Sequence, residues 1–171
     1  AKNCGASVPF IRPDEFAQDD TRDYPVIRHA LDFFEARGQI FDLYILLRPT
    51  SPMRPSGLIE KAIEILKGNT NITSVRSMTR IKEHPYRAWK QHDDGSVSGF
   101  IDNEIEPYNI PRQELPNLYF QTGDIEAIRR ETIINGSVSG DCVFPLIIKH
   151  DEMIDIDNES DFNRAEQSSF V

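Results

Sequence analysis

Two apolar stripes of helical period alternate with short unbroken apolar runs, and this alternation constrains the fold more than any other feature of the sequence. Val26, Ile27, Ala30, Leu31 and Phe34 recur at the spacing of one helix face, with Pro25 in the first turn and Gly38 just past the end. Leu43 to Leu47 is a continuous apolar run that stops before Pro49, the pattern of a strand covered on both faces in a parallel sheet. Leu58, Ile59, Ala62, Ile63 and Leu66 form a second helical stripe, with Ser56 placed to cap it and Gly68 to close it. Ile72 to Ser77 is a further strand candidate, and Val8 to Ile11 a short one ahead of the first helix. Strand, helix, strand, helix, strand with short connections predicts an α/β domain on a mainly parallel sheet.

The stretch from 84 to 117 breaks that rhythm. Tyr86 to Lys90 alternates, Asp93-Asp94-Gly95-Ser96 is a turn, and Val97 to Ile101 returns, which predicts an inserted hairpin. Its few large apolar groups cannot build a core alone, so it is expected to pack on the parent domain or on a second subunit. Sheet-like patterning resumes from Leu118 through Ile128. A short helix near Glu131 to Ile134, a strand from Val143 to Ile148 and a polar helix near Asp161 to Gln167 complete the chain. With 171 residues, 39% of them hydrophobic and 27% charged, the composition suits one folded domain over residues 1–171.

Composition also narrows function. A net charge of −9 disfavours non-specific nucleic-acid binding, which needs a basic surface, so an anionic ligand would be held locally by a few arginines or a metal. No apolar run is long enough to span a bilayer. Two cysteines, Cys4 and Cys142, without zinc-site spacing, fit a reducing compartment, and a cytoplasmic location is expected. Neither GxGxxG nor GxxxxGK[ST] occurs among the nine glycines. There is no GxSxG elbow, and His29, His84, His92 and His150 lack ligand-like spacing.

Two local features carry chemistry. In Ile154-Asp155-Ile156-Asp157 an extended backbone would point both carboxylates to one side and both isoleucines to the core, a geometry suited to Mg²⁺. A solvated acidic surface, thickened by Asp151, Glu152, Glu159 and Asp161, fits the same residues. The loop Arg48-Pro49-Thr50-Ser51-Pro52-Met53-Arg54 follows the end of a predicted strand, where open α/β sheets build ligand crevices. Its hydroxyls suit a sugar or ribose and its arginines an anion, while an ordinary Pro-rich turn has the same composition.

Taken in order, Gly5-Ala6-Ser7-Val8-Pro9-Phe10-Ile11-Arg12-Pro13, Leu46-Leu47-Arg48-Pro49-Thr50-Ser51-Pro52-Met53-Arg54, Pro111-Arg112-Gln113-Glu114-Leu115-Pro116 and Ile154-Asp155-Ile156-Asp157 with Asp161-Phe162 resemble the acylneuraminate cytidylyltransferases over nearly the whole chain. The resemblance implies a Rossmann-like nucleotidyltransferase fold of the nucleotide-diphospho-sugar transferase type, with residues 84–117 as a dimerisation hairpin. It implies a homodimer that joins CTP to a nonulosonic, sialic-acid-like sugar acid and releases pyrophosphate. Carried over residue by residue, Asp155 and Asp157 would hold Mg²⁺ and act in catalysis together with Arg112. Arg12, Asp23, Pro49, Thr50 and Ser51 would lie by the nucleotide. Arg48, Arg87, Arg112, Thr122, Gly123 and Glu126 would lie by the sugar, with Arg87 and Arg112 reaching a partner subunit's site.

Three departures from the family pattern qualify the transfer. Arg48 stands where the family commonly has glutamine, and Thr122-Gly123-Asp124-Ile125-Glu126 replaces an Asn-Gly-Ala-Ile-Tyr strand, so the preferred acid is expected to differ from N-acetylneuraminic acid. The family's N-terminal strand and its ARxGSKxxxxKN phosphate loop do not occur in the sequence. The chain is therefore expected to be N-terminally truncated, with little or no cytidylyl transfer by itself. Activation of 3-deoxy-manno-octulosonic acid is the alternative among enzymes, disfavoured by the Pro-Thr-Ser-Pro loop and the late Asp-x-Asp; a non-catalytic nucleotide-sugar-binding or dimerisation module is the alternative from another class.

Overall fold

The computed structural model describes residues 1–149 and 154–168. Among the described residues there are six strands and four α-helices. They are α1 (Asp23–Glu35), β1 (Leu43–Leu46), α2 (Leu58–Gly68), β2 (Ser74–Arg80), β3 (Trp89–Gln91), β4 (Val97–Gly99), β5 (Tyr119–Arg129), α3 (Arg130–Ile134), β6 (Val143–Ile147) and α4 (Glu159–Ser168). The main sheet has the order β1-β5-β2-β6. β1, β2 and β6 run in one direction, and β5 is inserted against them between β1 and β2. The strands are thus mainly parallel, as expected for the α/β nucleotidyltransferase class.

Helices cover both faces. On one, Leu58, Ala62 and Leu66 of α2 pack on Val75 of β2 and on Ile125 and Ala127 of β5. On the other, Ile27 and Leu31 of α1 pack with Ile133 of α3 on Ile128 of β5. The period of two along β5 therefore sends Ile125 and Ala127 toward α2, and Glu126 and Ile128 toward α1. That alternation puts a carboxylate beneath the N-terminal end of α1.

Several expectations need correction. Residues 8–11 form no strand; the segment is held by Phe10, whose ring packs 4.6 Å from that of Phe33 and 5.0 Å from that of His29 on α1. Side-chain anchoring replaces strand pairing there. β1 is half-buried and pairs antiparallel with β5 alone, so an apolar run that suggests a central parallel strand belongs to an edge of the described sheet. Ser56 does not cap α2: Gly57 is the N-cap, at φ 77°, a left-handed backbone that glycine adopts without strain. β2 begins at Ser74 rather than Ile72 and runs on to Arg80. β6 is mostly exposed, because it too lies at an edge.

The inserted hairpin is present as β3 paired antiparallel with β4. It packs on its own flank: Trp89 stacks against Tyr108 with ring centroids 4.2 Å apart, and Arg87 donates to the carbonyls of Tyr108 at 3.2 Å and Ile110 at 3.1 Å. Cys4 and Cys142 are free and exposed. Among the described residues no helix is long and apolar enough to cross a membrane.

Candidate functional site

Strand register explains where the polar residues meet. Glu126 of β5 sits between Leu46 of β1 and Arg76 of β2. Arg48 lies two residues beyond Leu46, just past the strand end. The Glu126 carboxylate, only 1% exposed, therefore receives Arg48 Nη2 at 2.9 Å on Oε1 and Arg76 Nη2 at 2.9 Å on Oε2. The second contact is close as an ion pair but poorly aligned as a hydrogen bond. Gln121 donates to Oε1 at 3.3 Å while accepting from Arg76 Nη1 at 2.5 Å. From the first turn of α1, Asp23 closes the cluster, accepting from Arg48 Nη2 at 2.6 Å.

Two carboxylates and two guanidiniums balance in charge, and the buried Glu126 carboxylate in particular needs its cations if it is not to destabilise the fold. The hydrogen bond to Asp23, with a further one to Glu126, outweighs burial and raises the Arg48 pKa above its already high ordinary value. Arg48 is thus a fixed cation, one third exposed, at the end of β1.

A second knot lies beside it. Arg54 turns back on the loop, donating from Nε to the Asp124 carbonyl at 2.6 Å and from Nη2 to the Arg48 carbonyl. Ser51 is buried, and its hydroxyl approaches Asp155 Oδ1 at 3.5 Å. The Ile156 N–H donates to the Thr50 carbonyl at 2.8 Å. These contacts join the Pro-Thr-Ser-Pro loop to the Asp-x-Asp segment, more than a hundred residues later. Gly123 lies against the same loop: an added Cβ would come within 2.5 Å of Ser51 Oγ and 3.0 Å of Arg48 Cδ. Thr122 is buried alongside, donating to Ser77 Oγ at 2.8 Å, and Ser77 in turn accepts from the Ile125 N–H at 3.1 Å. That hydroxyl pair fills the register shift between Arg76 and Met78, where β5 bulges.

The structure thus brings together Asp23, Arg48, Thr50, Ser51, Thr122, Gly123, Glu126 and Asp155. Pro49 and Thr50 are exposed on the rim. Arg12 is exposed on the segment anchored by Phe10 and stands apart from these contacts. Arg87 and Arg112 are also placed elsewhere: with Arg80, Lys82 and His84 they line a separate cleft of about 750 Å³.

Of the acidic run, Ile154 is buried, Asp155 and Ile156 are half-buried, and Asp157 is exposed, its N–H donating to Asp161 Oδ2 at 3.3 Å. Glu159 and Asp161 fall in the first turn of α4, where acidic residues favour the helix dipole. His150, Asp151 and Glu152 lie outside the described residues. Among the described residues no three His, Cys, Asp or Glu side chains cluster for a metal. Asp155 beside the Ser51 hydroxyl, with Asp157 two residues on, offers oxygen donors of the kind taken by Mg²⁺, an ion that completes its shell with water and ligand phosphates. They do not form a closed protein cage.

Sequence reasoning passed over Arg76 and Asp124. Arg76 had a signal: a charge between Val75 and Ser77 in a core strand needs an opposite charge on the same face, and Glu126 is the cross-strand neighbour. Asp124 is buried with Oδ1 unpartnered among the described residues.

No protein-family model matches the chain. It is 27% identical over 165 residues to the N-acylneuraminate cytidylyltransferase of Escherichia coli O18:K1:H7, an alignment that takes in 96% of this chain and 38% of that protein. It is 30% identical over 165 residues to the CMP-N,N'-diacetyllegionaminic acid synthase of Legionella pneumophila, taking in 95% of this chain and 69% of that one. The chain therefore spans little more than a third of the first relative and about two thirds of the second. A solved structure of CMP:2-keto-3-deoxy-manno-octonic acid synthetase complexed with CTP shares the fold, with a TM-score of 0.57 and 14% identity over 90% of this chain and 70% of that one. The motifs and the long alignment agree, and the chain belongs to the acylneuraminate cytidylyltransferase family of CMP–sugar-acid synthases.

Proposed function

We propose that the chain is part of a cytidylyltransferase that transfers CMP from CTP to the anomeric hydroxyl of a nonulosonic acid, and that by itself it carries out little or no transfer. The hydroxyl oxygen bonds to the α-phosphorus and loses its proton, the bond to the β-phosphate oxygen breaks, and pyrophosphate leaves. The observation that carries the reading is the junction of the Pro-Thr-Ser-Pro loop with the Asp-x-Asp segment, through Ile156 N–H to Thr50 at 2.8 Å and Ser51 to Asp155 at 3.5 Å. It sits at the end of β1, where α/β sheets bind ligands.

In this reading Asp155 and Asp157 hold Mg²⁺. When bound, the ion neutralises charge developing on the triphosphate and makes the attacking hydroxyl easier to deprotonate. Ser51 orients Asp155, and Arg54 fixes the loop by gripping two backbone carbonyls, so that Pro49 and Thr50 present a rigid rim to nucleotide and sugar. Arg12 serves the nucleotide side. Arg87 and Arg112, in a cleft rich in cations, suit a phosphate or carboxylate, and in a homodimer built on the β3–β4 hairpin they would serve the neighbouring site. The charged side chains at Arg48, Asp124 and Glu126 favour an acid other than N-acetylneuraminic acid. Within the same chemistry, 3-deoxy-manno-octulosonic acid is the second acceptor to test.

Calorimetry tests the core of the proposal. CTP should bind the chain more tightly with Mg²⁺ than with EDTA, and the double substitution Asp155→Asn/Asp157→Asn should remove the difference while leaving the thermal midpoint nearly unchanged. Mg²⁺-dependent CTP binding that survives both substitutions would move the metal elsewhere.

A further inference from the structure

The register of β5 gives Ser77 of β2 an unusual share of the ladder. Arg76 pairs with Glu126 and Met78 with Gln121, so residues 122–125 stand opposite Ser77 alone, where a regular antiparallel ladder sets a single residue. A bulge of that length has to satisfy its backbone groups outside the ladder. Ser77 Oγ does so at both ends: it accepts from the Ile125 N–H at 3.1 Å and from Thr122 Oγ1 at 2.8 Å. Its own hydrogen faces the carbonyls of Ile125 at 3.3 Å and Thr122 at 3.4 Å. Both acceptor positions and the one donor of the hydroxyl are thereby used.

The bulge carries the wall of the candidate site outward. It presses Gly123 against Ser51 and Arg48, and it turns the Asp124 carbonyl toward Arg54 Nε, which donates to it at 2.6 Å. Ser51 in turn approaches Asp155 Oδ1 at 3.5 Å. Resting on the function proposed above, we propose that Ser77 is a positioning residue for the nucleotide and metal site. By pinning both ends of the bulge it sets Gly123 and Asp124 against the Pro-Thr-Ser-Pro loop, and so fixes Ser51 and Asp155. Ser77 is fully buried and meets no ligand itself. Alanine in its place leaves the Ile125 N–H and the Thr122 hydroxyl buried without a partner, a penalty that the bulge relieves only by moving its backbone. Ile125 is locked in the core beneath α2, and Glu126 is held by Arg48 and Arg76. The movement therefore falls on Gly123 and Asp124, the stretch that rests on the loop.

Calorimetry of CTP with Mg²⁺ and with EDTA, on the full chain, tests the proposal. In Ser77→Ala the Mg²⁺-dependent gain in CTP affinity should fall about five- to tenfold, as for a site whose competent arrangement is populated about a fifth to a tenth of the time. Thr122→Val keeps the shape and leaves Ser77 to hold Ile125. It should lose about two- to threefold, and add little in the Ser77→Ala background, because the two hydroxyls act as a pair. Ile133→Val, in the core against α1, lowers stability away from the bulge and should keep the full gain well below its thermal midpoint. Nuclear magnetic resonance of the unliganded chain adds a readout that needs no nucleotide. In Ser77→Ala the Ile125 amide should lose exchange protection and the amide signals of Ser51, Gly123 and Asp155 should shift, while Ile133→Val leaves them in place. A full Mg²⁺ gain in Ser77→Ala, or an equal loss in Ile133→Val, overturns the proposal. If Ser77→Ala does not fold, Thr122→Val carries the test, and a full gain there overturns it. The two readings fail differently: a wild-type chain without any Mg²⁺ gain removes the proposed function and the positioning role with it, and a gain that survives Ser77→Ala removes the positioning role alone.

Discussion

Replacing Gly123 with alanine probes the closest packing in the site. The new Cβ would stand 2.5 Å from Ser51 Oγ and 3.0 Å from Arg48 Cδ, with Arg48 Cβ next at 3.7 Å. Ser51 is buried against Asp155, and Arg48 is tied at its far end to Asp23 and Glu126, so neither side chain can move without loosening another contact. Overpacking of this kind costs about 1–3 kcal/mol, and the lower chain entropy of alanine returns roughly 0.5–1 kcal/mol, leaving a net loss of about 1–2 kcal/mol. For a domain of this size the thermal midpoint should fall by roughly 2–8 °C. The cause can be isolated. Ser51→Ala removes the 2.5 Å overlap and leaves the 3.0 Å one, so Gly123→Ala should cost about half as much in the Ser51→Ala background, a coupling of at least about 0.5 kcal/mol by chemical denaturation. Equal melting of Gly123→Ala and wild type, or a full cost in the Ser51→Ala background, would refute the packing described at this site.

Two further outcomes follow from other parts of the fold. The Tyr44 hydroxyl is buried without a hydrogen-bond partner among the described residues, so Tyr44→Phe should stabilise the chain by about 1 kcal/mol in urea melts. Burial, and then the charge of Glu35, raise the Tyr44 phenol above its ordinary value, so the folded state favours the neutral form and wild-type stability falls once the unfolded phenol ionises. The advantage of Tyr44→Phe should therefore widen above about pH 10, and a constant gap would contradict the assignment. On the hairpin, Trp89, Val97 and Phe100 are exposed, and light scattering should find a dimer that Val97→Asp converts to monomer without lowering the thermal midpoint. A wild-type monomer at high concentration would remove the cross-subunit roles of Arg87 and Arg112.

The helices and the hairpin were legible because period and turn chemistry are local. Ile27 and Leu31 of α1, and Ala62 and Leu66 of α2, lie in the core as their spacing requires. The place of β1 in the sheet was not legible, since Leu43 to Leu46 carries the same apolar side chains at an edge as in a centre; only pairing with β5 decides. For the same reason Arg48 and Glu126 looked like two separate departures from the family pattern. Register shows them 2.9 Å apart, so the charge gained at one is answered by the charge at the other. The approach of Asp155 to Ser51 was not legible, because the two residues lie 104 positions apart and no local pattern joins them. Arg76 could have been suspected, because a buried strand charge demands a partner.

The claim on which the rest depends is that Asp155 and Asp157 present a divalent ion to a nucleotide held at the end of β1. Paramagnetic broadening by substoichiometric Mn²⁺, added with CTP to isotope-labelled chain, tests it most directly. Selective loss of the amide signals of Ser51, Gly123 and residues 155–157 is the predicted result. Broadening centred on the acidic turn at Asp93 and Asp94, or spread evenly over the surface with those signals intact, would contradict it.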